Sequence, residues 1–98
     1  MELNIIHDAD EQRFYADLEG EEAELSYNYL EDDLLDFDYT FVPKKFRNKG
    51  VTDALVQAGL EFAKSRNYRF VPSCNAVEIY LKRHPEYNHL AKEEEEEQ

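Results

Sequence analysis

The sequence is poor in cysteine, tryptophan, glycine and proline: its 98 residues include one cysteine, no tryptophan, three glycines and three prolines. A lone cysteine, Cys74, excludes an internal disulfide and fits a reducing compartment. The three histidines lack metal-ligand spacing, so we predict no metal site. No apolar run approaches about 18 residues and no charged-then-apolar leader opens the chain, so we expect a cytoplasmic protein that does not span a membrane.

Basic residues are also scarce, with 11 lysines and arginines against 23 acidic residues and a net charge of −12. A field of this sign repels nucleic acid and anionic membranes and favours cationic partners such as amines. Five of the acids form the run Glu93 to Glu97. We therefore expect one domain over residues 1–90 and a disordered acidic tail over residues 91–98, in a monomer or a weak homodimer.

A short β-branched run at residues 3–7 predicts a first strand, and alternating apolar and polar residues predict three more at about residues 13–18, 23–29 and 34–42. We expect the four strands to form an antiparallel meander. Glu19, Gly20 and Glu21 form a tight turn between the second and third strands. In the fourth strand we expect one face towards the core and the other away from it. The core face would carry Leu35, Phe37, Tyr39 and Phe41, and the other face Asp36, Asp38, Thr40 and Val42.

Two helices and a fifth strand follow the meander. Apolar residues spaced i, i+4, i+7 and i+11 predict a helix from residue 49 or 50 to residue 65 or 66, with Asn67 as its stop. These apolar residues are Val51, Leu55, Ala58 and Phe62. A fifth strand over residues 68–73 is loosened by Pro72, which has no N–H for the ladder. Asn75 and Glu78 have the spacing of a capping box, which predicts a second helix that ends before Pro85.

The loop between the fourth strand and the first helix is basic. Lys44, Lys45, Arg47 and Lys49 place four of the 11 basic residues within six positions, and Gly50 follows them. Free N–H groups and the positive end of the helix dipole would face this loop, and Gly50 lets backbone approach an anion. The pattern therefore predicts a phosphate-binding loop, with a plain solvated turn as the alternative.

The element order and two motifs resemble the GCN5-related N-acetyltransferase superfamily. The run RNKGVT, residues 47–52, resembles its Arg/Gln-x-x-Gly-x-Gly/Ala loop, which holds the pyrophosphate of acetyl-CoA. The segment SCNAVEIYLKRHPEY, residues 73–87, resembles a compact single-domain subgroup with a cysteine at a strand-to-helix junction. The likeness covers residues 4–87 and implies an α/β (α+β) fold with a mixed sheet, an acyltransferase activity and acetyl-CoA as the cofactor.

The resemblance also implies roles for the binding residues. The pyrophosphate would be held by Arg47, Asn48, Lys49, Gly50, Val51 and Thr52, and the ribose phosphate by Lys44 and Lys45. The pantetheine amides would pair with backbone near Phe41 and Val42. Asn75 is the expected N-cap of the second helix, and N–H groups beside it would polarise the thioester carbonyl.

Three residues are candidates for catalysis. Cys74 lies near a helix N-terminus, whose dipole stabilises a thiolate, and is either an acyl carrier or a packing residue. Tyr80 resembles the tyrosine that protonates the coenzyme A thiolate in many relatives, although it also falls on the packing stripe of its helix. Asp38 is either a general base or a solvated residue of its strand.

We therefore predict an acetyl-CoA-dependent N-acetyltransferase whose acceptor is an unidentified amine, in a small molecule or a protein. The amine would attack directly, or through an acyl intermediate on Cys74. A second hypothesis is a noncatalytic acyl-CoA-binding regulatory module, favoured by Tyr39 where the compact subgroup often has histidine and by the lack of room for helices between the first two strands. A third is an interaction domain that uses its acidic face.

Overall fold

A five-stranded sheet with two α helices forms the fold of residues 3–92, the range that the computed structural model describes. The strands are β1 (Ile6–Asp8), β2 (Arg13–Leu18), β3 (Glu21–Glu31), β4 (Leu34–Phe41) and β5 (Arg69–Val71), and the helices are α1 (Val51–Ser65) and α2 (Asn75–Arg83). Lys44–Phe46 and Pro85–Leu90 form 3₁₀ helices. The predicted α+β class is confirmed. Residues 93–98, where the sequence predicts an acidic tail, lie outside the described range.

The sheet order is β1-β2-β3-β4-β5, with the first four strands antiparallel and β5 parallel to β4. The predicted meander is confirmed, and β2 has its predicted bounds. β1 begins at Ile6 rather than at residue 3, because its limits are set by pairing with β2, where Ile6 lies opposite Tyr15. The β2–β3 hairpin turns at Glu19 and Gly20, whose φ angles of 56° and 91° suit a two-residue turn.

One face of the sheet, here called the inner face, packs against α1 and forms the core. Its buried side chains are Phe14, Ala16, Leu18, Ala23, Leu25, Tyr27, Leu35 and Phe37. α1 covers them with Val51, Leu55, Val56, Leu60 and Ala63. Ala58 and Phe62, predicted for the apolar stripe of this helix, lie at its margin and are only partly buried. The sheet therefore contacts a side of α1 rotated towards Val56 and Leu60.

α2 and the 3₁₀ helix Pro85–Leu90 pack beside α1. Val77, Tyr80 and Tyr87 are buried at this contact, and α2 ends before Pro85 as predicted. Beyond the second 3₁₀ helix, the Lys92 amide donates to the Phe70 carbonyl at 2.7 Å, which attaches the end of the described chain to β5. No helix within residues 3–92 combines the length and apolar character needed to cross a lipid bilayer.

A β-bulge in β4 changes which side chains face the core. The register with β3 shifts by one residue at Asp38. Beyond the bulge, Val42 is buried and Thr40 faces inward, whereas Tyr39 and Phe41 lie on the opposite, outer face and are 50% and 41% exposed. The predicted faces are correct before the bulge and wrong after it, because an alternation of period two assumes an uninterrupted pleat.

The junction between β5 and α2 also differs from the prediction. The β4–β5 ladder ends at Val71, just before Pro72, so β5 is shorter than residues 68–73. The N-cap of α2 is Cys74, and Asn75 is the first helical residue. The predicted capping box of Asn75 and Glu78 is wrong, because the extended backbone of Cys74 already occupies the cap position and no side chain caps the helix.

Candidate functional site

The loop before α1 presents unpaired backbone amides. The first hydrogen bond of α1 runs from the Ala54 amide to the Gly50 carbonyl, and the amides of residues 50–53 donate no hydrogen bond within residues 3–92. Asn48 and Gly50 have φ angles of 64° and 85°, so two left-handed residues curve the backbone into the helix. A cavity of about 220 Å³ lies against these amides. Its lining is Phe46, Asn48, Gly50, Val51, Thr52 and Asp53.

The basic side chains of this loop have different surroundings. Arg47 donates from Nε to the Val42 carbonyl at 2.9 Å, so it links the loop to the end of β4. Lys45 lies 3.8 Å from Glu19 and 3.9 Å from Glu21, on the hairpin side of the loop. Lys44 and Lys49 are exposed. Of the predicted loop residues, Asn48, Gly50, Val51 and Thr52 line the cavity, whereas the four basic side chains are not part of its lining. Lys45 lies near carboxylates instead.

A carboxylate in the cavity wall is neutralised by an arginine of the other helix. Asp53 lies in the first turn of α1, and Arg83 lies in the last turn of α2. Arg83 donates to both carboxylate oxygens, at 2.9 and 3.1 Å. This hydrogen bonding lowers the pKa of Asp53, so the carboxylate stays ionised and paired. The pair also fixes the start of α1 against the end of α2.

Cys74 lies against β4 beyond the bulge. Its amide donates to the Phe37 carbonyl at 2.8 Å, and its Sγ lies 2.9 Å from Thr40 Oγ1. The cysteine is neither fully buried nor exposed. The β4–β5 ladder ends at Val71, so the contacts of Cys74 hold the segment after β5 against β4 where the two would otherwise separate. The thiol therefore lies on the inner face of the sheet, beside Thr40 of β4.

Tyr80 lies on α2 and is buried, as its packing position predicts. Its ring stacks on His84 at a centroid distance of 4.1 Å. Burial, and next the charge of Asp53, raise the pKa of Tyr80, so the phenol stays protonated at neutral pH. No residue in 3–92 forms a hydrogen bond with its hydroxyl.

Asp38 is separated from the other two catalytic candidates. It lies in the bulge on the outer face and accepts hydrogen bonds from Ser26 and Asn28. Cys74 contacts Thr40 on the inner face, so the sheet lies between Asp38 and the thiol. The structure does not bring Asp38 together with Cys74 and Tyr80. The residues 3–92 also contain no group of three side chains placed to hold a metal ion.

A larger cavity of about 770 Å³ lies between α2 and the end of β5. Its lining is Val71, Pro72, Ser73, Asn75, Glu78, Leu81, Lys82, Asn88 and Ala91. Asn75 thus faces this cavity, not the loop where the phosphate site was predicted. Sequence reasoning gave no role to most of this lining, although Asn75, Glu78 and Lys82 are spaced along one side of a helix.

The sequence did not predict the roles of three residues of the site. Thr40 was placed on the wrong face because the bulge has no clear signal in the alternation. Asp53 in a first helical turn has an ordinary explanation as a partner of the helix dipole. Arg83 lies 30 residues from Asp53, and no local pattern links the two.

Comparisons with known proteins agree with this geometry. The sequence profile of the family described as GCN5-related N-acetyl-transferase matches residues 13–90. The NMR solution structure of a GCN5-like protein from Staphylococcus aureus superposes with a TM-score of 0.74 at 26% identity, over 95% of this chain and 91% of that one. The profile match includes both the loop before α1 and the junction at Cys74.

Curated relatives show the same relationship. Protein NATD1 of Mus musculus is 27% identical over 85 residues, which are 85% of this chain and 77% of the mouse protein. Protein NATD1 of Danio rerio is 26% identical over 89 residues, with 87% and 81% covered. The profile match spans most of the chain, and the fold and the order of motifs agree with it. The chain therefore belongs to the GCN5-related N-acetyltransferase family.

Proposed function

We propose that this protein binds acetyl-CoA through the loop before α1 and transfers the acetyl group to an amine. The single observation that carries the proposal is the run of unpaired amides over residues 50–53, which open a 15-residue helix beside a cavity. Backbone amides and the positive end of a helix dipole together favour a phosphate group. Family membership supports the same chemistry.

The residues of the loop fit a pyrophosphate. A Cβ built at Gly50 would meet no atom within 4 Å, so the space beside its amide is open. Asn48, Val51 and Thr52 line the cavity beside that amide. Arg47 and Lys49 are neighbours in the same loop and would add side-chain charge. Acetyl-CoA would supply an activated thioester at this site.

The pantetheine arm would follow β4 towards Cys74. The side chain of Phe41 lies on the outer face and that of Val42 on the inner face. The pantetheine arm would therefore contact the backbone of these two residues rather than both side chains. The Val42 carbonyl already accepts a hydrogen bond from Arg47. Lys44 is the exposed cation left for the ribose phosphate, because Lys45 lies near Glu19 and Glu21.

Proton transfer is assigned to Tyr80. An amine attacks the thioester only when it is deprotonated, and the departing thiolate needs a proton. A buried, protonated phenol without a partner in the described chain suits the second role and not the first. Direct attack by the amine is our favoured route, with an acyl group on Cys74 as the variant.

A noncatalytic acyl-CoA-binding module is the second candidate. The observation that favours it is the position of Asp38, which lies on the outer face, away from Cys74 and Tyr80. None of the three candidate catalytic residues is then placed as a general base near the thiol. Such a module would bind the cofactor and regulate a partner without turnover.

The binding test compares two glycines in the same conformation. Gly50 and Gly20 have φ angles of 85° and 91°, and a Cβ at either meets nothing within 4 Å. We expect calorimetry to show binding of coenzyme A and acetyl-CoA to the native chain and to the Gly20→Glu variant, and none to Gly50→Glu. Both substitutions strain the backbone equally, so only the loop position distinguishes them. A native chain that binds neither ligand at millimolar concentration contradicts the proposal.

A transfer assay separates the enzyme from the module. We expect acetylation of at least one amine in a broad panel, and retained turnover in Cys74→Ser, because direct attack needs no thiol. Mass spectrometry of the intact protein after incubation with acetyl-CoA detects an acetylated Cys74 if the covalent variant is correct. Binding without transfer to any amine supports the module instead.

A further inference from the structure

The outer face of the sheet is open and strongly acidic. α1 packs on the inner face, and α2 and the second 3₁₀ helix pack against α1. The outward residues Asp17, Glu22, Asp38, Tyr39 and Phe41 are exposed. The pairing registers place six carboxylates of β1–β4 on this face and one cation, Arg13, and the hydrogen bonds of Asp38 place a seventh carboxylate there. The seven are Asp8, Asp17, Glu22, Glu24, Glu31, Asp36 and Asp38.

The same face carries exposed aromatic and apolar side chains. Tyr39 and Phe41 are turned outward by the bulge in β4 and are 50% and 41% exposed. Ile6 on β1 is 40% exposed and lies opposite the outward Tyr15. Large apolar groups exposed together and surrounded by charge mark surfaces that bind a partner.

One half of this face already binds a guanidinium of the chain itself. Arg13 Cζ lies 4.2 Å from the centroid of the Tyr15 ring. Its Nη1 donates to Glu22 at 2.9 Å and to Glu24 at 3.1 Å. An aromatic ring below a cation and carboxylates beside it are the usual elements of arginine recognition.

The other half has the same elements without a cation. No lysine or arginine of residues 3–92 lies over the ring of Tyr39 or Phe41. The carboxylate of Asp38, next to Tyr39, is held in place by hydrogen bonds from Ser26 and Asn28. The half-site around β4 is thus preformed, and its electrostatic complement is missing from the described chain.

We propose that the outer face binds an extended basic segment of a partner protein, whose arginine or lysine side chains lie on Tyr39 and Phe41 beside Asp38. Residues two apart on a strand are about 6.6 Å apart, which is also the spacing of alternate side chains in an extended peptide. A second copy of this chain is a poor occupant, because each copy carries a net charge of −12 and the same acidic face. The inference is independent of acetyl-CoA binding.

The test is an NMR titration of the isotope-labelled full chain with a terminally blocked hexa-arginine peptide, at about 150 mM salt to screen nonspecific attraction. We expect saturable shifts confined to outward residues of β1–β4. The double variant Tyr39→Ser, Phe41→Ser should bind about tenfold more weakly, since two cation–π contacts are lost. The variant Ile79→Ser removes an apolar side chain that is 47% exposed on α2 and should bind as the native chain does.

Two further measurements complete the test. Asp38→Asn removes a charge on the outer face, together with one of the two acceptor oxygens bonded by Ser26 and Asn28, and should weaken binding. Asp32→Asn in the β3–β4 turn should not. Shifts centred on other surfaces, or equal affinity in Tyr39→Ser, Phe41→Ser and Ile79→Ser, overturn the proposal. A dimer that forms in sedimentation and is broken by Phe41→Ser overturns it too, because the face would then bind a second copy.

Discussion

Arg83 Nη2 lies 2.9 Å from Asp53 Oδ1, in an ion pair that joins the end of α2 to the first turn of α1. Asp53 is also part of the wall of the small cavity beside the unpaired amides. An ionised carboxylate at that point would oppose a bound anion. Arg83 therefore keeps the wall of the proposed phosphate site close to neutral.

From this pair we predict that Arg83→Gln weakens coenzyme A binding about fivefold, because an unpaired charge then faces the pyrophosphate through solvent. The double variant Asp53→Asn, Arg83→Gln should recover most of the native affinity. Calorimetric titration of both variants measures the effect. Arg13→Gln is the control, because Arg13 is likewise ion-paired, with Glu22 and Glu24, but on the outer face. A double variant as weak as Arg83→Gln would contradict the charge argument.

Tyr80→Phe tests the proposed acid. We expect kcat to fall about 10- to 100-fold while coenzyme A affinity changes little, because the hydroxyl acts only on the departing thiolate. The pKa of Tyr80 is raised above its ordinary value of 10.0, so its ionisation should not reduce kcat at any pH below that value. Tyr87→Phe is the control, since this equally buried tyrosine donates its hydroxyl to Glu61 instead. An unaltered kcat in Tyr80→Phe removes the assigned role.

Gly59→Ala should destabilise the fold although alanine favours helix. A Cβ at Gly59 would lie 3.0 Å from both Leu25 Cδ2 and Phe37 Cε1, in the fully buried contact between α1 and the sheet. The cost of overpacking the core, about 1–3 kcal/mol, then exceeds the gain in helix propensity from glycine to alanine, about 1 kcal/mol. Urea unfolding gives the difference, with the exposed Gln57→Ala of the same helix expected within about 0.5 kcal/mol of the native chain. A more stable Gly59→Ala would show that the helix can move away.

The surroundings of His7 predict that the free energy of unfolding decreases in mild acid. Its ring stacks on Phe14, and its Nε2 lies 2.7 Å from the Tyr27 hydroxyl. Burial, and next the charge of Arg66, lower the pKa of His7 below its ordinary 6.5. Below pH 6.5 the unfolded chain therefore binds more protons at His7 than the native chain does. The contribution of the neutral His7 to the free energy of unfolding is complete above pH 6.5 and is lost as the pH falls through the pKa of His7 in the folded protein.

The measurement for His7 is the free energy of unfolding between pH 7 and pH 5. We expect it to decrease in the native chain and to decrease less in His7→Phe, which keeps an aromatic ring but cannot titrate. The variant His89→Phe, at an exposed position of the second 3₁₀ helix, should keep the native slope. Equal slopes in all three proteins would show that His7 does not contribute to the pH dependence.

Local patterns predicted most of the fold. The alternation in Arg13–Leu18 and the apolar spacing of α1 need only neighbours along the chain, so β2 and the helix were found within a residue or two of their bounds. Asn67 has a φ of 60°, as expected for a helix stop. The basic loop was recognised because its charges are adjacent in sequence.

The sequence-based predictions were wrong where a contact with a residue distant in the sequence sets the local structure. The face of Tyr39 and Phe41 depends on the register that β3 imposes at Asp38, and pairing with another strand is not encoded in the alternation of β4 alone. The cap of α2 moved from Asn75 to Cys74 because the Cys74 amide is held by the Phe37 carbonyl. Each of these outcomes follows from one tertiary contact.

The sequence by itself determined the order of the elements, the acidic charge and the basic turn before α1, because all three depend on residues close together in the chain. Only the tertiary structure decided that Thr40 faces Cys74, that Arg83 neutralises Asp53, and that Tyr39 and Phe41 lie on an open acidic face. These contacts join residues 30 or more positions apart or depend on the register between strands. Packing and strand pairing set them after the local structure has formed.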